Sequence, residues 1–273
     1  MSSQEKKETL QEAKLLEALD HPNIIKFREV YKTKKGKLHI VMDYADGGDL
    51  SGRIKDQKGR PFSEEQVLDW FTQIWLGIKH IHDRKVLHRD IKAQNIFLTK
   101  GGMVKIGDLG IARVLSRTNE WVKTMVGTPY YLSPEIVQNK PYNFKSDVWA
   151  WGVLLYELWA LKPPFDGTSL HMLGMRITRG NFQPIPRNFS KPLQNLISLM
   201  LNTDTSRRPS IYQILKQDII QSRIQSFLSK TLLSNEFSHT IFHKQQLLNL
   251  DGEINKLEAP RGGKLSIAAP EPK

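Results

Sequence analysis

The chain has no cysteine among its 273 residues, which excludes disulfides and thiolate zinc sites. No apolar run approaches the roughly 18 residues that a membrane span needs, and the first residues carry no signal-peptide core. These absences point to a cytoplasmic or nuclear address and away from a membrane. Acidic residues are scarce: 28 Asp and Glu stand against 40 Lys and Arg, giving a net charge of +12. Such an excess can mark a nucleic-acid binder. Here the basic residues are dispersed, and none forms a Lys/Arg block with interleaved aromatics. The charge is therefore read as solubility and attraction to acidic partners rather than as nucleic-acid binding. At 39% hydrophobic and 25% charged residues, the remainder is ordinary globular composition. It suffices for one large domain or two lobes sharing a cleft.

One stretch carries chemistry: Val86 to Gly110, V-L-H-R-D-I-K-A-Q-N-I-F-L-T-K-G-G-M-V-K-I-G-D-L-G. Ile96 to Leu98 predicts one strand, Met103 to Ile106 the next, and Lys100-Gly101-Gly102 the turn between them. The hairpin would hold Asp90 and Asn95 at its start and Asp108 at its end. That layout suits phosphoryl transfer. Asp90 can accept the proton of an attacking hydroxyl, while Asn95 and Asp108 offer hard oxygen ligands for Mg²⁺. Lys92 can reach the transferring phosphate. H-R-D or D-L-G alone could be a charged turn capping a hairpin; their joint spacing is what singles the stretch out.

Around it, residues 4–19 predict an amphipathic helix on Leu10, Ala13, Leu16 and Leu19, stopped by His21-Pro22-Asn23. Two strands follow, Ile24 to Tyr31 and Lys37 to Asp43, then a flexible connector over 44–49 at the lobe boundary. Helices are expected at 49–58 and 63–83. Arg113 to Tyr131 reads as a long polar loop of the kind that is usually functional or disordered. Ser146 to Ala160 predicts an apolar helix whose Trp149, Trp151 and Trp159 belong to the core. Further helices are expected near 168–179, 191–202, 211–228 and 234–250, before a disordered end at 259–273. His80 and His82 lack a third ligand at metal spacing, so they are read as solvated histidines at a helix end.

Six phrases join that stretch: H-P-N-I (21–24), D-Y-A-D-G-G-D-L (43–50), H-D-R-K-V-L-H-R-D-I-K-A-Q-N-I-F-L (82–98), I-G-D-L-G-I-A-R-V-L (106–115), G-T-P-Y-Y-L-S-P-E (127–135) and K-P-Y-N-F-K-S-D-V-W-A-W-G (140–152). Together they resemble eukaryotic Ser/Thr protein kinases, and more closely the NIMA-related (Nek) group, over about residues 4–228. The resemblance implies an α+β, protein-kinase-like fold: a truncated small β lobe over 1–43, a mainly α-helical large lobe over 44–228, and an extension over 229–273. It implies transfer of the γ-phosphate of ATP, with Mg²⁺, to Ser/Thr hydroxyls of protein substrates. Asp90 would be the base, Lys92 the phosphate-reaching lysine, and Asn95 and Asp108 the Mg²⁺ ligands. Asp43, Tyr44 and Ala45 would form the hinge that meets adenine, with Met42 just before it, and Met42 and Phe97 also belong to the ATP-binding set. Thr128 would bond the catalytic loop, Asp147 would hold the H-R-D backbone, and Glu135 would pair with Arg208. Arg89 would receive a phosphate on Thr124, with Ser116 and Thr118 as weaker candidates. Gln94 stands where many basophilic kinases carry Glu, so no strong arginine preference is expected in substrates.

The pattern also departs from the family's. No G-x-G-x-x-G occurs, and no strand lysine precedes Glu12, the helix glutamate that such a lysine would pair with. The small lobe is therefore expected to lack about three strands and to expose an edge open to a partner or a dimer. Each charge-assisted hydrogen bond to phosphate that is missing would cost about 1.5–3 kcal/mol. Three readings follow: a Ser/Thr kinase given in truncated form, a catalytically impaired kinase-like binding or regulatory module, and a basic interaction protein. By analogy alone, the family suggests cell-cycle, ciliary or cytoskeletal work.

Overall fold

The computed structural model describes residues 17–33, 38–108, 129–183 and 189–232. Most of the helix expected over 4–19, with Glu12, lies outside them. So do Ser116, Thr118, Thr124 and Thr128 of the polar loop, and the segments expected at 234–250 and 259–273.

Strands β1 (Phe27–Lys32) and β2 (Leu38–Met42) form an antiparallel ribbon in which Val30 faces Ile40 and Tyr31 faces His39, with an irregularity between Phe27 and Glu29. The sequence suggests a first strand from Ile24, but Ile24 and Ile25 are drawn elsewhere. Ile25 N donates to Ile106 O at 2.8 Å, and Ile106 N donates to Asn23 O at 2.8 Å. Asn23, fully buried, completes this junction: its Nδ2 donates to Val104 O (3.0 Å) and to Gln73 Oε1 (3.1 Å), which also accepts from Val104 N at 2.9 Å. A buried polar cluster of this kind is tolerated because its members bond one another.

Strands β3 (Ile96–Leu98) and β4 (Val104–Ile106) form the expected hairpin, with Ile96 opposite Ile106 and Leu98 opposite Val104. Period two puts those four residues in the core and turns Phe97 and Lys105 to the other face. The connector expected to be flexible is laced to β3 instead. Gly47 N donates to Leu98 O (2.7 Å), Leu98 N to Gly48 O (2.8 Å), and Lys100 N to Asp46 Oδ1 (2.8 Å). Its backbone polar groups have found partners in the hairpin, so it is a fixed strut.

Helix α1 (Leu50–Asp56) is capped by Asp49, and α2 (Glu64–Asp83) by Ser63, whose hydroxyl accepts from Gln66 N. Val67, Phe71, Ile74, Ile78 and Ile81 recur at helical spacing on α2 and are fully buried. After the short α3 (Pro134–Val137) comes α4 (Phe144–Ala160). It starts two residues before the predicted Ser146, because Asn143 and Ser146 form a reciprocal capping box. Nearly all of α4 is buried, including Trp149, Trp151 and Trp159, as befits a helix apolar all round. Helices α5 (Leu170–Arg179) and α6 (Lys191–Met200) match expectation, each capped by a serine. The helix expected over 211–228 is two, α7 (Ile211–Leu215) and α8 (Asp218–Leu232), since Ile220 N and Gln221 N turn to Gln217 O and start a new helix. Among the described residues the arrangement is α+β, two small two-stranded sheets with a mainly helical body, as the resemblance implies. No described helix is long and apolar enough to cross a membrane.

Candidate active site

The loop between α2 and β3 is built against one carboxylate. Asp147, in the first turn of α4 and fully buried, accepts His88 N on Oδ2 at 3.0 Å and Arg89 N on Oδ1 at 3.2 Å. Arg89 has φ +65°, in the left-handed region that costs a non-glycine residue about 1–3 kcal/mol and persists only where the surroundings impose it. Burial pushes the Asp147 carboxyl up, but hydrogen bonds from His82 and Tyr142 outweigh this and hold it below the usual carboxylate value. His88 is buried edge-on to Trp151, and burial lowers its pKa.

Asp90 follows directly, N–H bonded to His88 O at 2.9 Å. One of its carboxylate oxygens, Oδ2, accepts both Lys92 Nζ (2.7 Å) and Asn95 Nδ2 (2.9 Å), and Asn95 Nδ2 also donates to Asp90 O (2.7 Å). The carboxylate is thus fixed in direction by a cation and an amide. A 3₁₀ turn over Ala93–Asn95 delivers Asn95 to the start of β3. Across the hairpin, Gly107 N donates to Asn95 O at 2.9 Å, so the register sets Asp108 beside Asn95. Asp108 is exposed, with φ +47°. The structure thus brings Asp90, Lys92, Asn95 and Asp108 to one end of the hairpin.

No group of three or more His, Cys, Asp and Glu that could hold a metal occurs among the described residues. What the site offers is one amide and one carboxylate. With its nitrogen engaged by Asp90, Asn95 presents Oδ1 as the end that can meet a cation. Two hard oxygen donors suit Mg²⁺, which takes one or two protein ligands and completes its shell with phosphates and water.

The positions expected to form the hinge, 43–45, follow directly on Met42, the last residue of β2. Met42 and Tyr44 are 52% and 88% exposed, Ala45 is buried, and Asp43 pairs with Arg28 at 2.5 Å while its N–H donates to Lys26 O. Phe97 is half-buried on the outer face of β3, and its ring occupies the room that a Cβ on Gly107 would need, 2.6 Å away. Below, Arg208 meets Glu135 through both prongs (2.8 and 3.1 Å), and Ser146 Oγ donates to Glu135 Oε1 at 2.6 Å.

Sequence reasoning missed two groups here. His82 is buried rather than solvated, and its Nε2 lies 2.9 Å from Asp147 Oδ2. The signal was its place four residues after Ile78 on the buried face of α2. Tyr131, the last residue of the expected polar loop, accepts Ala93 N at 3.2 Å and donates to the carboxylate of Glu157, whose pKa is raised by burial. No local pattern points to that link.

The protein kinase domain model matches residues 1–220 of the chain. The chain is 52% identical over 242 residues to serine/threonine-protein kinase Nek5 of Homo sapiens, covering 88% of this chain and 34% of that protein. It is 51% identical over 237 residues to serine/threonine-protein kinase Nek1 of Mus musculus, covering 87% and 20%. Against serine/threonine-protein kinase Nek2 of Homo sapiens the identity is 42% over 228 residues, covering 81% and 51%. The chain spans about a third or less of the length of the first two relatives. It belongs to the protein kinase domain family, on the side of the NIMA-related serine/threonine kinases.

Proposed function

We propose that the chain transfers the γ-phosphate of ATP to serine and threonine hydroxyls of protein substrates. The observation that carries this reading is the braced carboxylate of Asp90, set at the same hairpin end as Asn95 and Asp108. Asp90, aimed by Lys92 and Asn95, takes the proton of the incoming hydroxyl. Lys92 steadies negative charge near the transferring group, and Asn95 and Asp108 would hold Mg²⁺. Mg²⁺, when bound, neutralises phosphate charge. Backbone groups at 43–45 orient adenine, with Phe97 on the hairpin side. Thr128 belongs to the same reading, as a scaffold bond to the catalytic loop.

Gln94 is exposed and neutral beside this set, so it offers a substrate arginine no attraction. Peptides with an apolar residue upstream of the acceptor are the class we assign. A peptide array dominated by upstream arginine would contradict that assignment.

The deciding assay is Mg²⁺-dependent transfer from labelled ATP to casein, with Asp90→Asn as the blank. Loss of the base should reduce transfer by about 10²–10⁴-fold. A folded wild-type chain no faster than that blank overturns the reading in favour of a kinase-like binding module.

A further inference from the structure

From Arg53 to Arg60 the chain carries Arg53, Lys55, Lys58 and Arg60 against a single acid, Asp56, and all five side chains are exposed. Arg53 and Lys55 stand in the last turn of α1. Lys58 and Arg60 follow in a turn held to that helix end, with Lys58 N bonded to Lys55 O at 3.3 Å and Arg60 N to Gln57 O at 3.0 Å. Arg53 spends one Nη group on Gly47 O, at 3.2 Å. Among the described residues, Lys55, Lys58 and Arg60 pair with no carboxylate.

A cation in the last turn of a helix needs no ligand to explain it, because it complements the helix dipole. That accounts for Arg53 and Lys55. It does not account for Lys58 and Arg60, which lie beyond the helix. Lys58 takes φ +48° and the next residue, Gly59, φ +85°. A lysine holds the first of these left-handed positions at a cost that glycine would avoid.

The position of the patch gives it a use. Helix α1 packs on the 3₁₀ turn Ala93–Asn95 that carries Gln94, and its cap Asp49 bridges to Phe97 of β3. The patch therefore stands on the element beside the catalytic loop. On the kinase reading, Gln94 faces residues just before the acceptor. With about 10 Å of helix to cross and about 3.3 Å per extended residue, a substrate would reach the patch roughly four to eight residues before its hydroxyl.

We propose that Lys55, Lys58 and Arg60 form a distal recognition surface for Asp- or Glu-rich segments of the substrate upstream of the acceptor. The inference rests on the kinase reading and adds a substrate class to it. Two of the three cations are lysines, point charges without the planar fork that grips one phosphate bidentately. Spread along a helix end and a turn, they suit several separate carboxylates better than one phosphoserine. An apolar residue next to the acceptor is compatible with this, since it would lie at Gln94 and not at the patch.

The test uses the whole chain and two triple variants of equal charge. One combines Lys55→Gln, Lys58→Gln and Arg60→Gln. The other combines Lys162→Gln, Arg179→Gln and Lys191→Gln, which removes exposed cations elsewhere on the chain. The probe is a labelled peptide with an upstream block of glutamates and alanine in place of the acceptor, read by fluorescence anisotropy. The first variant should bind it about 10-fold more weakly, on the scale of three exposed ion pairs. The second should stay within about 2-fold of wild type. Lys55→Arg with Lys58→Arg should keep the affinity, and high salt should erase the difference between wild type and the first variant. With serine restored in the peptide, the first variant should raise KM and leave kcat unchanged. The anisotropy arm decides the matter even if wild type transfers no phosphate, an outcome that would sink the kinase reading alone. Equal losses in the two triple variants overturn the proposal, because net charge would then be the cause. So does binding of a phosphoserine peptide or an oligonucleotide at this patch with the glutamate peptide ignored.

Discussion

Arg208 Nη1 lies 2.8 Å from Glu135 Oε1 and Nη2 lies 3.1 Å from Oε2, with side-chain exposures of 0% and 5%. The two residues are 73 positions apart in the chain, and Arg208 further donates to Lys145 O and Asn202 O while its guanidinium covers the Trp149 ring. Removing one partner would strand a charge out of water. Glu135→Ala should therefore cost about 3–5 kcal/mol, measured by urea unfolding. Replacing both residues by apolar ones of similar volume should cost less. A single-variant loss below about 1 kcal/mol, the scale of an exposed pair, would contradict the account.

The chain should weaken in mild acid through His21 and His80, whose rings meet at 5.1 Å. Burial lowers His21 from 6.5 to about 3, helped by His80, Lys105 and Arg84 and opposed by Asp20. Burial lowers His80 to about 4, with Arg84 and Lys79 adding to the shift and Asp83 and Asp20 opposing it. The unfolded chain takes up these protons near pH 6.5, and the folded chain only near 3–4. Their contribution is thus whole above pH 6.5 and falls as pH drops from 6.5 toward 4. The urea midpoint followed from pH 7 to 4.5 should decline, and His80→Phe should flatten the decline. An identical slope in that variant would remove His80 from the explanation.

Two glycines in neighbouring segments should respond oppositely to alanine. A Cβ on Gly47 would lie 2.7 Å from the Thr99 carbonyl carbon and oxygen and 2.8 Å from Leu98 O, all of them backbone atoms that cannot step aside. Gly47→Ala should cost about 1–3 kcal/mol by overpacking and loosen the strut over 46–49. Gly52 lies within α1 with nothing nearer than Asp49 Oδ1 at 3.7 Å. There alanine should gain about 0.5–1 kcal/mol from helix propensity. Paired denaturation curves check both signs.

Activation should run through Thr124, which lies outside the described residues. A phosphate there would add charge that Arg89, adjacent to Asp90, can receive. Thr124→Ala should abolish any slow activation phase and depress the final rate of transfer from ATP. Full activity without a lag in that variant would end the hypothesis.

Most of the site's raw material was legible along the chain. The separation of Asp90, Asn95 and Asp108, and the turn at Lys100–Gly102, specify a hairpin with its functional groups at one end, because strand pairing follows from short-range spacing. Ser63, followed by apolar residues at helical spacing, likewise announces α2. The errors fall where a second partner competes. Ile24 and Ile25 look like the start of β1, yet the chain here bonds β4, through Ile25 N–H to Ile106 O and Ile106 N–H to Asn23 O. The residues around Gly47 have the composition of a free linker, yet bond β3. His82 looks like a solvated helix end, yet its ring enters the core because Asp147 waits there with an open acceptor.

The sequence by itself determined which residues could do phosphate chemistry and which local elements would carry them, since both depend on residue type and on spacing within a few turns or one hairpin. Only the tertiary structure decided what holds those residues still. The Glu135–Arg208 pair, the Asp147 contacts to His82 65 residues away and to His88 59 residues away, and the link from Ala93 through Tyr131 to Glu157 join segments with no shared period. Such bonds form because folding removes water from polar groups that must then find partners among one another, and which partner is in reach is a property of the packed core.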